Sequence, residues 1–456
     1  MVAAKRWLVL AFLAVAAPVG LTAAVLMPSS QVPDEATHTA RAAGLLRGAV
    51  LANRVWTTDP AMGDYAWEAG VKASVPLVRM ALTNTTQPPL TGRKRLKPLN
   101  LKLVFFWHLP NTAMYFPAAY VPAALGMALV AALHGSAPIG FVAARLGALA
   151  AYLALGSAAL ALAVYGEGLL LAVLLLPTPL LLAGSVNQDG VLIALTCFAV
   201  AALTRNGAGW RRAGLAGLVL LVLAKPPYAL LLGLYALTPG AEAWRARAAA
   251  LLAGFAAVGV WVALTATLVI VPFEYYPPGS AQVAFYHPGP LYPGNPAAWF
   301  FQMDPAAQLA GLAAHPLAAI SVVLRTLAAW RPAMFFELIG RYGPLALPVS
   351  AWLGAAWALA LAVSLAGGRP SRQGLAAGLL ILGSFWAVML SLYIDNTPVG
   401  AVTVEGVFAR YVLPLAPGLI LVFPGPARNW AVAAVLAVGL FDAAYFPVLI
   451  WRAYGG

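Results

Sequence analysis

The sequence predicts an all-α, multi-pass integral membrane protein with a large polar segment after its first span. Three observations predict it. Hydrophobic residues fill 62% of the 456 positions and charged ones only 9%, against roughly 45–50% and about 25% in ordinary soluble domains. The apolar residues fall in runs sufficient for roughly 10–12 helices of about 20 residues each. The 42 Gly and 36 Pro lie largely inside those runs, where neighbouring helices satisfy the backbone groups they free.

The first element is an apolar run from Trp7 to Met27 behind Lys5-Arg6. Its length fits a retained span with its N-terminus inside, since a cleaved signal peptide has an apolar region of only about 7–15 residues. Residues 28–113 form a polar segment, expected as a first extracytoplasmic loop with interfacial helices. Its stretch up to Asn111 holds ten Lys/Arg and five acids, and a loop this long escapes the positive-inside rule. Such a basic face suits an anionic ligand or lipid headgroups; a merely solvated loop is the competing reading. Tyr115 to Leu133 opens with Pro117 and Pro122 and reads as a surface helix or a span.

Clearer runs follow at Phe141–Val164, Leu169–Val186, Val191–Leu203, Ala249–Val271, Leu345–Leu365, Leu375–Tyr393, Tyr411–Phe423 and Val432–Ile450. With Tyr115–Leu133 on the outer surface, Arg205, Arg211, Arg212, Arg245, Arg247, Arg369, Arg372 and Arg428 all fall on the cytoplasmic side. A second outer loop is expected over 272–315. Its Glu274, Tyr275, Tyr276, Tyr286, His287 and Tyr292 suit a lid over a sugar or headgroup, because aromatic faces stack on apolar ones. The whole chain, 1–456, reads as a single polytopic domain without internal repeats.

Net charge is +13. In a membrane protein this is first explained by basic residues flanking the spans, so no nucleic-acid partner is expected. The one cysteine, Cys197, and five scattered histidines give neither a disulfide nor a zinc pattern.

Four polar clusters could carry chemistry. Directly after the first span, Asp34, His38 and Arg41 recur at i, i+4, i+7 on one helical face. A carboxylate beside an imidazole at the membrane boundary can accept a hydroxyl proton. The bland alternative is an acidic cap with a partnered histidine. Asp189, in Ser185-Val186-Asn187-Gln188-Asp189-Gly190, is either substrate-orienting or an ordinary cap residue. Lys225 precedes Pro226-Pro227 in a stretch too long for one span and too short for two. A lone lysine there is costly unless paired or wet, and phosphate is its natural partner. Arg410-Tyr411 opens a late span, where Arg410 grips a phosphate oxygen or anchors the interface.

The ordered set PDE-x-x-H-x-x-R (Pro33 to Arg41), FPAAYVPAALG, AARL (Ala143 to Leu146), SVNQDG, AKPPY, DPAAQLAGLAAHP (Asp304 to Pro316) and EGVFARYVLPLAP resembles the bacterial domain-of-unknown-function 2142 (DUF2142) membrane family. That family is in turn similar to GT-C superfamily glycosyltransferases that use polyprenyl-phosphate sugars. The resemblance implies a GT-C-like multi-pass bundle and an inverting transfer of sugar to an envelope glycan, lipid or protein. It places the site on the extracytoplasmic side of the bacterial inner membrane, among membrane lipids. It also implies a general base at Asp34 or Glu35. Lys225 and Arg410 then hold the lipid-linked phosphate, with His38, Arg41, Asp189 and Tyr411 lining the substrate. Ala409 and Gln188 depart from the family pattern, where Gly and Pro are usual. Some GT-C enzymes use a divalent metal such as Mg²⁺ or Mn²⁺ at the first-loop acid and others do not, so the metal stays open.

The expected function is therefore glycosyl transfer. A transporter or flippase of lipid-linked saccharides is the alternative, and it predicts matched broken helices and charges near the midplane. A non-catalytic envelope scaffold is the third reading, in which Asp34→Asn leaves function intact.

Overall fold

The computed structural model describes residues 5–29, 31–59, 64–82, 87–91, 98–109, 112–240, 242–270, 305–329, 337–340 and 350–454. The aromatic segment 272–304 and the basic residues Arg93, Lys94, Arg95 and Lys97 lie outside the described residues. The lid expectation rests on that segment.

The first span, α1 (Arg6–Leu26), carries Pro18 in its interior. Beyond it come α2 (Glu35–Leu45), β1 (Asn53–Asp59), β2 (Asp64–Ser74), α3 (Val75–Leu82) and β3 (Val104–His108). The strands form one antiparallel sheet in the order β1-β2-β3, with Asn53 opposite Gly70 and Gly70 opposite His108. This small sheet is what the helical expectation lacks. Its signal lies in β2, where Ala69, Val71 and Ala73 are buried and Lys72 is exposed, the period-two alternation of a half-buried strand. Arg54 of β1 donates to the carbonyls of Thr267 and Ile270 at 3.2 and 2.8 Å, which ties the sheet to the bundle.

A 3₁₀ turn over Pro117–Tyr120 opens into α4 (Val121–Ala132), which packs against α5 (Ala137–Leu162). Glycine makes that contact possible. A Cβ on Gly126 would lie 2.2 Å from the Ala143 carbonyl oxygen, and one on Gly147 2.2 Å from that of Pro122. Small residues let two membrane helices bring their backbones together in this way.

The run Leu169–Val186 divides into α6 (Glu167–Leu175) and α7 (Pro177–Ala183). The break falls at Leu176 because Pro177 has no N–H to continue a helix and fits the first position of the next. Every residue from Gly168 to Leu175 is buried, so α6 is a core helix, apolar all round. Next are α8 (Gln188–Leu203), α9 (Ala208–Ala224), a 3₁₀ turn over Pro226–Leu232, α10 (Gly233–Leu237) and α11 (Trp244–Leu268). Among the described residues the remaining helices are α12 (Pro305–Ala314), α13 (Ala318–Ala329), α14 (Ala351–Ser364), α15 (Arg372–Asp395), α16 (Leu419–Val422) and α17 (Asn429–Tyr454). Tyr411–Phe423 is mostly 3₁₀, over Ala409–Tyr411 and Leu413–Gly418, because Pro414 and Pro417 interrupt it.

The protein is thus a predominantly helical, multi-pass membrane protein. Among the described residues five helices are long and apolar enough to cross a membrane. They number up to seven if the bent pairs α7–α8 (117°) and α12–α13 (108°) each count as one span. Four shorter apolar helical segments accompany them. The core forms where α1 meets α5, α7 and α17, and α8 meets α5 and α9.

Candidate functional site

Asp34 sits at the N-cap of α2 but does not cap it. Its backbone is left-handed, with φ 60°, a conformation that costs an L-residue roughly 1–2 kcal/mol and that Asp tolerates better than most. The strain turns its carboxylate toward the bundle instead of its own helix, and Oδ2 lies 2.7 Å from Arg410 Nη2. Asn187 holds the turn in place, donating from Nδ2 to the Pro33 carbonyl at 3.0 Å.

The second acid comes from the bend between α7 and α8. The Asn187 side chain caps α8, accepting from the Asp189 N–H at 2.8 Å. Gly190 is required by close packing, since a Cβ there would come within 2.7 Å of the Ala183 nitrogen. Asp189, 5% exposed, sits between two cations: Oδ1 is 2.6 Å from Lys225 Nζ and Oδ2 is 3.4 Å from Arg410 Nε.

Lys225 stands where α9 ends. Pro226 and Pro227 supply no N–H donors, and the chain continues as a 3₁₀ turn. Its ammonium lies 4.7 Å from the Tyr411 ring centroid and 6.0 Å from that of Tyr115. Arg410 stacks on Phe408 and Tyr411 at 4.5 and 5.1 Å. These aromatic faces flank both cations; Arg410 Nη2 donates to Asp34 Oδ2, while its buried Nε makes no hydrogen bond among the described residues. Tyr228 fixes the turn by donating to the Tyr411 carbonyl at 2.6 Å.

Asp34, Asp189, Lys225, Arg410 and Tyr411 therefore meet, although they come from four separate segments. His38 lies behind them. Its Nδ1 is 2.6 Å from the Tyr120 hydroxyl and its ring stacks beside Tyr115. Burial pushes His38 down from 6.5 to about 4, outweighing the pull of Asp189 and Asp34, so it is neutral at physiological pH. Its folded form binds a proton less readily than its unfolded form, so stability present above pH 6.5 is lost as pH falls toward 4. Thermal unfolding across that window should show the loss, and His38→Gln should flatten it.

Two expected site residues lie elsewhere. Glu35 is buried against Arg145, which donates from Nε to Oε1 at 2.8 Å and from Nη2 to Oε2 at 2.6 Å. The Val186 N–H adds a third bond at 3.0 Å. Although adjacent to Asp34 in sequence, Glu35 opens α2 and its side chain is fully buried. Arg41 is fully buried and donates to the carbonyls of Ala49, Val50 and Tyr115 at 2.7, 2.7 and 3.0 Å, which fixes the chain after α2.

Arg145 and Glu337 were not singled out as site residues by the sequence. Arg145 also donates to the Ala24, Met27 and Pro28 carbonyls, joining the end of α1 to α2 and α5. Its signal was legible as a lone arginine inside an apolar run. Glu337 accepts from the Ala409 N–H at 2.9 Å, beside Arg410, and burial raises its pKa above the ordinary carboxylate value. Its carbonyl also accepts from the Thr178 hydroxyl.

Two cations pinned by a buried carboxylate, with Asp34 more open at 36% side-chain exposure, make a site that can bind an oxyanion and move a proton. A divalent metal fits it poorly. Both carboxylates already face cations, and no group of three or more His, Cys, Asp or Glu gathers among the described residues. The sequence model of a family described as a predicted membrane protein (DUF2142) matches residues 18–419. No curated protein and no solved structure matches.

Proposed function

We propose a membrane glycosyltransferase activity for this chain, which belongs to the DUF2142 family of predicted membrane proteins. The donor is a polyprenyl-phosphate-linked sugar and the acceptor a hydroxyl of an envelope glycan, lipid or protein. The reaction takes place on the extracytoplasmic face of the bacterial inner membrane. The observation that carries this reading is the meeting of Asp34, Asp189, Lys225 and Arg410 in one cluster.

The roles follow from exposure and pairing. Lys225 and Arg410 receive the donor phosphate, and their charge stabilises it as it leaves. Asp189 is a positioning residue, because both of its oxygens are engaged in holding those cations. Asp34 keeps Oδ1 for the acceptor and is the general base. The acceptor oxygen attacks sugar C1 as the C1–O bond to phosphate breaks. The acceptor proton passes to Asp34, and polyprenyl phosphate departs. In the free protein Arg410 is bound to Asp34, so an arriving phosphate competes for Arg410 and releases Asp34 to act. Donor binding and base activation are thereby linked.

The transporter reading draws support from the two bent helix pairs, a feature of transporter folds. Against it counts the short distance in sequence from the end of α1 to Asp34, which favours a boundary position over the midplane.

The test is donor affinity. Lys225→Met should weaken binding of a polyprenyl-phosphate sugar about tenfold or more, as expected for loss of one charge-assisted contact, with thermal unfolding close to wild type. Unchanged affinity in a folded Lys225→Met protein would remove Lys225 from the donor site.

A further inference from the structure

One sequence motif has no part in the cluster described above. Of the DPAAQLAGLAAHP segment, the described residues 305–316 form α12 and the elbow into α13, bent by 108°. The two arms of this elbow line an open cavity of about 250 Å³. Gln308, Leu312 and His315 face it from one arm at i, i+4, i+7, and Ser321, Val322 and Arg325 face it from the other.

The far wall is built and fixed. Gln308 donates from Nε2 to the Tyr393 and Pro398 carbonyls at 2.9 and 3.3 Å, and its Oε1 accepts from the Gly400 N–H at 3.0 Å. The Tyr393 hydroxyl donates to the Ala401 carbonyl at 2.9 Å. Those polar groups are therefore engaged in the wall. His315 and Arg325 are different: both are exposed and line the cavity. Among the described residues neither pairs with a carboxylate, and no acid lines the space.

We infer that this cavity is a second binding site, for the phosphate-bearing headgroup of an anionic amphiphile. Arg325 presents a planar fork that matches phosphate oxygens, and His315 supplies a further donor at the elbow. Leu312 and the buried Val322 give an apolar wall suited to the first carbons beyond the phosphate. The volume admits a phosphate ester and not a whole lipid. The cavity lies at the C-terminal end of the α15 span, in the chain segment that leads on to Arg410. An amphiphile held there remains at the boundary that carries the Asp34 cluster. The site does not depend on the transferase reading.

The test uses the full-length protein in maltoside detergent, in a Lys225→Met background so that the other cluster contributes little. Dihexanoyl phosphatidate and glycerol 1-phosphate are titrated separately by calorimetry. Binding of the phosphatidate well above glycerol 1-phosphate identifies a lipid headgroup site; equal binding identifies a soluble phosphate ester. In either case Arg325→Gln should weaken it about tenfold, and His315→Gln should weaken it to a smaller extent. Binding of neither probe overturns the inference, as does binding that neither substitution changes. Transfer activity is read separately in the Lys225 wild type, so failure here leaves the proposed function untouched, and the reverse.

Discussion

The Asp34→Asn protein should fold, bind its donor and transfer sugar about 10²–10⁴-fold more slowly than wild type, the range that a general base contributes. Asn is the informative substitution because it tolerates the left-handed backbone that Asp34 adopts at φ 60°. Ala would add strain to the loss of the carboxylate. The substitution also frees Arg410 from its 2.7 Å ion pair, so donor affinity should stay the same or improve while kcat falls. A fall in kcat with retained or tighter donor binding separates a lost base from a damaged phosphate site. Equal turnover in the two proteins would remove Asp34 from the chemistry and favour the scaffold reading.

Arg145→Met should be the most destabilising single change among those considered. Glu35 and Arg145 are both 0% exposed and form a bidentate pair. Removing one partner of a buried pair leaves an uncompensated charge and costs about 3–5 kcal/mol. The same change strips donors from the carbonyls of Ala24, Met27 and Pro28, the last carbonyls of α1 and the turn beyond it, which have few other partners. Thermal unfolding in detergent should show a large downward shift or no stable protein. Arg145→Met with Glu35→Gln should recover part of the loss, because the orphaned charge is then gone. A stable but inactive Arg145→Met protein would move the Glu35–Arg145 pair from the framework into the reaction.

Much of the fold was legible because membrane helices announce themselves by length and apolarity. The first span, the Phe141–Val164 run and the last two long runs fall close to α1, α5, α15 and α17. Breaks were less legible where no charge marked them. Lys225-Pro226-Pro227 flagged its own interruption, whereas Leu176-Pro177 lies in an unbroken apolar run and its division was missed. The sheet was missed because three short strands spread over a polar segment give only a weak alternation, clearest in Ala69, Val71 and Ala73.

The same physics explains the site. Charges set in or beside apolar runs, as at Asp189, Lys225 and Arg410, are costly without partners and could be expected to find one another. Asp34 and Glu35 are adjacent in sequence, and composition gave no means to assign them separate roles. The difference is set by partners from elsewhere in the chain: Arg410 for one and Arg145 for the other. For the same reason Arg41, which shares a helical face with Asp34 on paper, is diverted to three backbone carbonyls.

The central claim is that the cluster cleaves the bond between sugar and phosphate. It is tested most directly in proteoliposomes containing the full-length protein, a polyprenyl-phosphate sugar and a crude envelope acceptor fraction, with both products followed. Glycosyl transfer predicts free polyprenyl phosphate appearing in step with sugar on the acceptor, and neither product with Asp34→Asn. Intact donor moving to the opposite leaflet, with no polyprenyl phosphate released, would contradict the claim and make the protein a transporter of the lipid-linked sugar.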